Sequence, residues 1–156
     1  MIHAAPLDSG PLTRQVIEDL YAEALVLADE ARVVFEVAAP SSLKQATQPA
    51  SIALSVEGLR TTTRIMHILA WLLNQRAFMA GELNERQLQQ HGALPRDRAS
   101  EPDQLALLPA RTRQLIAESE RLHARVARLD EQQRQETTAG TQPVRQLQKK
   151  LLSAFG

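Results

Sequence analysis

There is no cysteine among the 156 residues. That excludes a disulfide scaffold, thiolate metal sites and a cysteine nucleophile, and it fits a reducing compartment. Aromatic residues amount to 3%, with one Trp, one Tyr and three Phe, and there are only six Gly. Glycine this sparse and scattered builds no phosphate-cradling loop. Neither sign of charge dominates: 18 Lys+Arg balance 18 Asp+Glu, so nothing in the bulk electrostatics draws the chain to nucleic acid or an anionic membrane. No apolar run reaches the ~18 residues that a membrane-spanning helix needs, and the longest, Ile65–Leu73, is interrupted by His67. The opening MIHAAPLDSG has no basic stretch and no long apolar region, unlike a secretory signal. These absences describe a soluble, cytoplasmic chain, long enough for one domain around one core.

Reactive chemistry is equally thin. The chain carries no G-x-S-x-G elbow and no H-E-x-x-H pair. His3, His67, His91 and His123 fall in four different segments without metal-ligand spacing. A di-metal carboxylate bundle needs Glu-x-x-His pairs, and none occurs. The sequence therefore predicts no catalytic residues, no metal site and no cofactor.

What the chain does have is helical periodicity, in three long stretches between prolines. The first, about 11–38, opens at Pro11 and carries Leu12, Val16, Leu20, Ala24, Leu27, Ala31 and Val34 on one face. Its six acidic residues against two arginines belong to the opposite, solvated face. The second, about 50–80, has the stripe Ile52, Val56, Leu59, Thr63, Met66, Ala70, Leu73 and Ala77, widened by Ile65, Ile68, Leu69 and Leu72. A helix apolar on most sides touches more than one neighbour, so this one is expected to be central, with Gly81 as its C-terminal cap. The third, about 105–134, repeats apolar or small residues at heptad spacing from Leu105 through Leu108, Thr112, Leu115, Ser119, Leu122 and Val126 to Leu129.

The predicted fold is all-α: an antiparallel three-helix bundle over 1–134, followed by a flexible tail, 135–156. The linker between the second and third helices, 82–104, is longer than a structureless loop usually runs, and Asn84 is placed to cap a short helix ending near Gly92. Within the tail, 135–142 is a polar spacer. Val144, Leu147, Leu151, Leu152 and Phe155 then form an apolar stripe beside Arg145, Lys149 and Lys150. Such a segment is suited to docking in a groove or on an acidic surface, which makes Val144, Leu147, Lys149, Lys150, Leu151, Leu152 and Phe155 candidate partner contacts. A second candidate is the mixed stripe of the central helix, where Arg60, Arg64, His67, Trp71 and Asn74 align with Glu57 and Phe78. It is either a helix–helix rim with snorkelling arginines or a partner face anchored by Trp and Arg, and its exposure decides between them.

The stretch EGLRTTTRIMHILAWLLNQRAFMAGEL, Glu57 to Leu83, with LYAEALVLADEAR, Leu20 to Arg32, resembles the family of RcdA, the alphaproteobacterial regulator of CtrA degradation. Arg60, Thr62, Thr63, Arg64, Met66, Trp71, Leu72, Leu73, Gln75, Arg76, Ala77, Ala80, Gly81 and Glu82 fit the family's run, whereas Gly58 and His67 depart from it. The resemblance implies a three-helix bundle that forms a homodimer and acts as a non-enzymatic adaptor in regulated proteolysis. It implies as partners the ATP-dependent protease ClpXP, the response regulator CpdR that primes it, cell-cycle substrates and further adaptors such as PopA. It also implies a docking role for the tail and a place at the cell pole. The rival expectation is a small dimeric transcriptional or nucleic-acid-binding regulator, which calls for a dense basic face. The third segment instead intersperses its arginines with Glu118, Glu120, Asp130 and Glu131.

Overall fold

The structure is a computed structural model, and it describes residues 13–37 and 47–155. The start of the first helix at Pro11, with Leu12, and most of the first connection lie outside the described residues. Every regular element among those described is helical: α1 (Arg14–Arg32), running into a π-helical turn (Val33–Val37), then α2 (Gln48–Met79), α3 (Glu85–His91), α4 (Pro102–Leu105) and α5 (Ala110–Phe155).

Local chemistry sets the boundaries. The Thr13 hydroxyl accepts from the Val16 N–H and starts α1, and the Thr47 hydroxyl accepts from the Ala50 N–H and starts α2. Gly81 ends α2 as expected. Its φ of 76° lets the Gly81 N–H reach the Phe78 carbonyl and the Glu82 N–H reach the Ala77 carbonyl, which is the reciprocal closure that a glycine past the helix end permits. Asn84 caps α3, completed by Gln87 reaching back to the Asn84 N–H at 3.0 Å.

α1, α2 and α5 share one core. Ile17, Leu20, Ala24, Leu27, Ala31 and Val34 come from α1, Ile65, Ile68, Trp71 and Leu72 from α2, and Leu115, Leu122 and Val126 from α5. Below it lies a smaller cluster of Ala53, Leu108 and Ile116. Phe35, in the π-helical turn, packs against both clusters. It is admitted by Gly58, where a β-carbon would stand 2.9 Å from the Phe35 ring.

Cross-contacts fix the helix directions. Glu18 meets Arg76 and Phe35 meets Gly58, so α1 and α2 run antiparallel. Arg64 meets Ser119, Trp71 meets Asp130 and Gln75 meets Gln133, so α2 and α5 run parallel. An antiparallel third helix was the expectation. The reason for the difference is the connection: after α3 the chain descends the length of the bundle as a strap. Pro95 lies against His123, Asp97 against Arg64, and Glu101 against Arg60. The strap brings the chain back to the level where α2 began, and α5 then rises beside α2.

α5 also departs from its expected end near Arg134. It continues for 46 residues through Gly140 and Pro143 to Phe155, about 69 Å at 1.5 Å per residue. The Thr137 and Thr138 hydroxyls donate to the carbonyls one turn earlier, each at 2.9 Å. Pro143 removes one backbone donor on a solvated stretch, where water serves the carbonyl left free.

Candidate interaction surface

The strap explains the fate of the mixed stripe on α2. Arg64 is 1% exposed. Its Nε donates to Asp97 Oδ2 at 2.7 Å, its Nη1 to Ser119 Oγ at 2.9 Å and its Nη2 to the Arg98 carbonyl at 3.0 Å. The guanidinium fork thus ties α2, α5 and the strap together, which a buried cation requires if its desolvation is to be offset. Trp71 is buried too, and its indole N–H donates to Asp130 Oδ1 at 3.0 Å. Arg60 bridges Glu57, at 2.9 Å, and Glu101, at 3.5 Å. His67 and Asn74 are half-buried.

Of the five α2 residues expected to form a partner face, Arg64 and Trp71 are therefore inside. This corrects the expectation: their partners are the strap and α5 of the same chain. Glu57 and Thr61 accompany them, fully buried, with Glu57 Oε2 and Thr61 Oγ1 lacking a hydrogen-bond partner. Next to them, Gln75 and Gln133 exchange amide hydrogen bonds of 2.8 and 3.0 Å.

The face of α2 that is open is the one expected to be core. Ile52 is 54% exposed, Leu59 70%, Met66 63% and Leu73 48%. Between them Ser55, Thr62, Thr63 and Ala70 are also exposed, and Val56 and Ala77 are partly so. From Ile52 to Met79 no exposed residue of α2 is charged. The two flanking cations are engaged within the chain, Arg60 by Glu57 and Glu101, and Arg76 by Glu18 at 2.9 Å and the Tyr21 ring at 4.5 Å. A helix face meant for water carries charge; this one carries none across seven turns.

A second open apolar face lies on the far part of α5. Val144, Leu147, Leu151, Leu152 and Phe155 are all more than half exposed, and Lys149 and Lys150 are exposed with them. The structure brings these seven tail residues onto one projecting helical arm, well separated from Arg60 and His67. Where the arm leaves the core, an open groove of about 660 Å³ is lined by Phe78, Leu88, Gln133, Arg134, Thr138 and Arg145, among others.

The open α2 face was legible in one respect. Ile52, Leu59, Met66 and Leu73 recur every seven residues, with Val56, Thr63, Ala70 and Ala77 between them. That strict alternation of large and small residues is a seam signature as much as a core signature. Nothing in α2 alone tells which of its apolar faces α1 and α5 will take.

Among the described residues no cluster of His, Asp or Glu is arranged to hold a metal ion, and no helix is long and apolar enough to cross a membrane.

A family model described as "Protein of unknown function (DUF1465)" matches residues 10–155. The crystal structure of RcdA from Caulobacter crescentus CB15 is similar to this chain with a TM-score of 0.62 and 28% sequence identity. The likeness covers 75% of this chain and 90% of that one. No curated protein matches the chain.

Proposed function

The chain belongs to the DUF1465 family, which the likeness to RcdA identifies as the RcdA family, and from that premise we propose that it is a non-enzymatic adaptor in regulated proteolysis. In this reading it is a cytoplasmic homodimer that tethers cell-cycle substrates, and further adaptors such as PopA, to ClpXP primed by CpdR. The observation that carries the proposal is the 28% identity to RcdA sustained over three quarters of the chain together with the shared fold.

The surfaces support such work without chemistry. Tethering raises the local concentration of a substrate at the protease and needs only weak, separate contacts. The α5 arm offers one such contact: Val144, Leu147, Leu151, Leu152 and Phe155 give an apolar ridge, and Lys149 and Lys150 flank it. An amphipathic helix of this kind is recognised in an apolar groove with an acidic rim. The half-buried His67 and Asn74 add polar contacts on α2, and Arg60 there is already paired with Glu57 and Glu101.

The rival reading, a nucleic-acid-binding regulator, is not favoured. Arg125 is paired with Glu23 at 2.9 Å and Arg134 with Asp130 at 3.2 Å, so α5 presents mixed charge rather than a phosphate-binding stripe.

The test is a reconstituted degradation assay with ClpXP, CpdR and candidate substrates. Added full-length chain is expected to accelerate degradation, and a chain ending before Thr141 to accelerate it less while keeping its helical fold. No acceleration by the full-length chain for any substrate would remove the adaptor reading; equal acceleration by both would remove the arm from it.

A further inference from the structure

We propose that the junction of α2, the strap and α4 is a binding site for one internal water molecule, held by Glu57, Thr61, Ser100 and Gln104, and that this water seats the foot of the strap on the bundle. The inference goes beyond the adaptor reading and does not depend on it. It stands on four side-chain oxygens that the fold shelters from solvent without giving them a protein partner.

Those oxygens are Glu57 Oε2, Thr61 Oγ1, Ser100 Oγ and Gln104 Oε1, and among the described residues no other buried side-chain nitrogen or oxygen is left so. Their shared neighbourhood is the first observation. Glu57 and Thr61 are 0% exposed, and one turn apart they lie on the same face of α2. Ser100 and Gln104 come from the other side. Ser100 directly precedes Glu101, and Arg60 ties Glu101, at 3.5 Å, to Glu57, at 2.9 Å. The Gln104 N–H donates to the Glu101 carbonyl at 3.1 Å, which keeps Gln104 within the same turn of chain. Next to it, Leu105 and Leu54 pack on the cluster of Ala53, Leu108 and Ile116, and so hold α4 against this stretch of α2.

Thr61 supplies the second observation. Ser55, Thr137 and Thr138 each turn a hydroxyl to the carbonyl one turn earlier, at 3.1, 2.9 and 2.9 Å, the local bond that a helical hydroxyl readily makes. Thr61, though fully buried, forgoes it. Burial of a carboxylate oxygen without a donor is costlier still, and no side chain supplies one to Glu57 Oε2.

Counting protons identifies the ligand. Glu57 Oε2 and Gln104 Oε1 can only accept, whereas the Thr61 and Ser100 hydroxyls can donate. A water molecule brings two protons for the first pair and two lone pairs for the second, and buried waters typically make about three such bonds. A metal cation would leave both hydroxyl protons without an acceptor. The charge it would neutralise is also already met, by Arg60 on Glu57 Oε1. Water satisfies all four atoms. With Arg64 on Asp97 nearer the middle of the strap, it completes a polar hold at the end where the strap passes into α4.

The test is a double-mutant cycle on the full-length chain with Thr61→Val and Ser100→Ala, each of which removes one hydroxyl. In urea unfolding each variant is expected to lower the folding equilibrium constant about tenfold. The double variant is expected to fall short of the product by about threefold or more, because the first deletion already weakens the water that the second would release. Effects that simply multiply overturn the shared site. A high-resolution crystal structure of the unaltered chain reads the site directly. A solvent peak within hydrogen-bond reach of Glu57 Oε2 and Gln104 Oε1 is expected. Thr61 turned onto the Glu57 carbonyl, with no solvent peak between α2 and the strap, overturns the proposal. Soaking those crystals in rubidium chloride separates water from an ion: no anomalous signal is expected at the peak, and a strong one overturns water in favour of a cation.

Discussion

The Nε of Arg64 lies 2.7 Å from Oδ2 of Asp97, 33 positions away in sequence, and that buried contact is the central tie between the strap and the helices it crosses. The remaining donors of the same guanidinium reach Ser119 and the Arg98 carbonyl. Arg64→Ala removes all three bonds and leaves Asp97 half-sheltered without its cation. The expected loss is about 3 kcal/mol, at the lower end for breaking a buried pair because Asp97 keeps some water contact. Urea denaturation measures it. Limited trypsin digestion adds a local readout: cleavage after the exposed Arg96 and Arg98 should accelerate more than cleavage elsewhere if the strap detaches before the bundle opens.

Trp71 gives a second handle. As the one Trp in the chain, buried and bonded to Asp130, it should emit at short wavelength when folded and shift to the red on unfolding. Trp71→Phe deletes the indole N–H and leaves Asp130 with Arg134 alone. The expected cost is about 2 kcal/mol, from a lost hydrogen bond to a charged acceptor and a smaller side chain. Thermal melts followed by circular dichroism check it.

Two glycines should respond with opposite sign. Gly81, at a φ of 76°, holds a backbone conformation that a β-carbon disfavours, so Gly81→Ala should destabilise the fold by about 1 kcal/mol. Gly140 lies inside α5 with open space around it. Gly140→Ala should make the arm more helical by about 1 kcal/mol locally without raising the melting temperature of the core.

Pro143 extends that argument. It interrupts the hydrogen-bond ladder of α5 at one place. Pro143→Ala should restore the missing bond and slow amide exchange across the arm, with little change in exchange at Ile68 or Leu122, whose side chains are fully buried.

Close packing at Gly58 yields a last prediction. Gly58→Val places a branched side chain where the Phe35 ring already sits at 2.9 Å from a β-carbon position. The ring must move off both core clusters, at a cost of about 1–3 kcal/mol by the usual scale of overpacking. Equilibrium unfolding in urea reports it directly.

How much of this could be read in the sequence depends on how one-sided each helix is. The faces of α1 and α5 were legible: Leu20, Ala24, Leu27, Ala31 and Val34, and Leu108, Leu115, Leu122 and Val126, are buried where heptad spacing put them. Both helices carry charge on the opposite face, so periodicity had one answer. α2 has apolar residues on most sides, and periodicity could not choose among them. Burial of Arg64, Trp71 and Glu57 depends on a strap without repeat or periodicity, whose docking no local pattern announces. The run of α5 past Arg134 was hidden by Gly140 and Pro143, which lower helix propensity without forbidding a helix on a solvated arm. The open α2 face was visible as a pattern but assigned to the wrong side of the wall.

The parallel run of α2 and α5 has a kinetic consequence. α1 and α2 pair as neighbours in the chain, whereas Arg64 must find Ser119 55 positions on, and Trp71 must find Asp130 59 positions on, after the crossing segment has doubled back. Contacts so distant in sequence slow the search for the native state. A newly synthesised chain is therefore expected to leave one flank of α1 and α2 bare until the last long helix emerges to complete the interior.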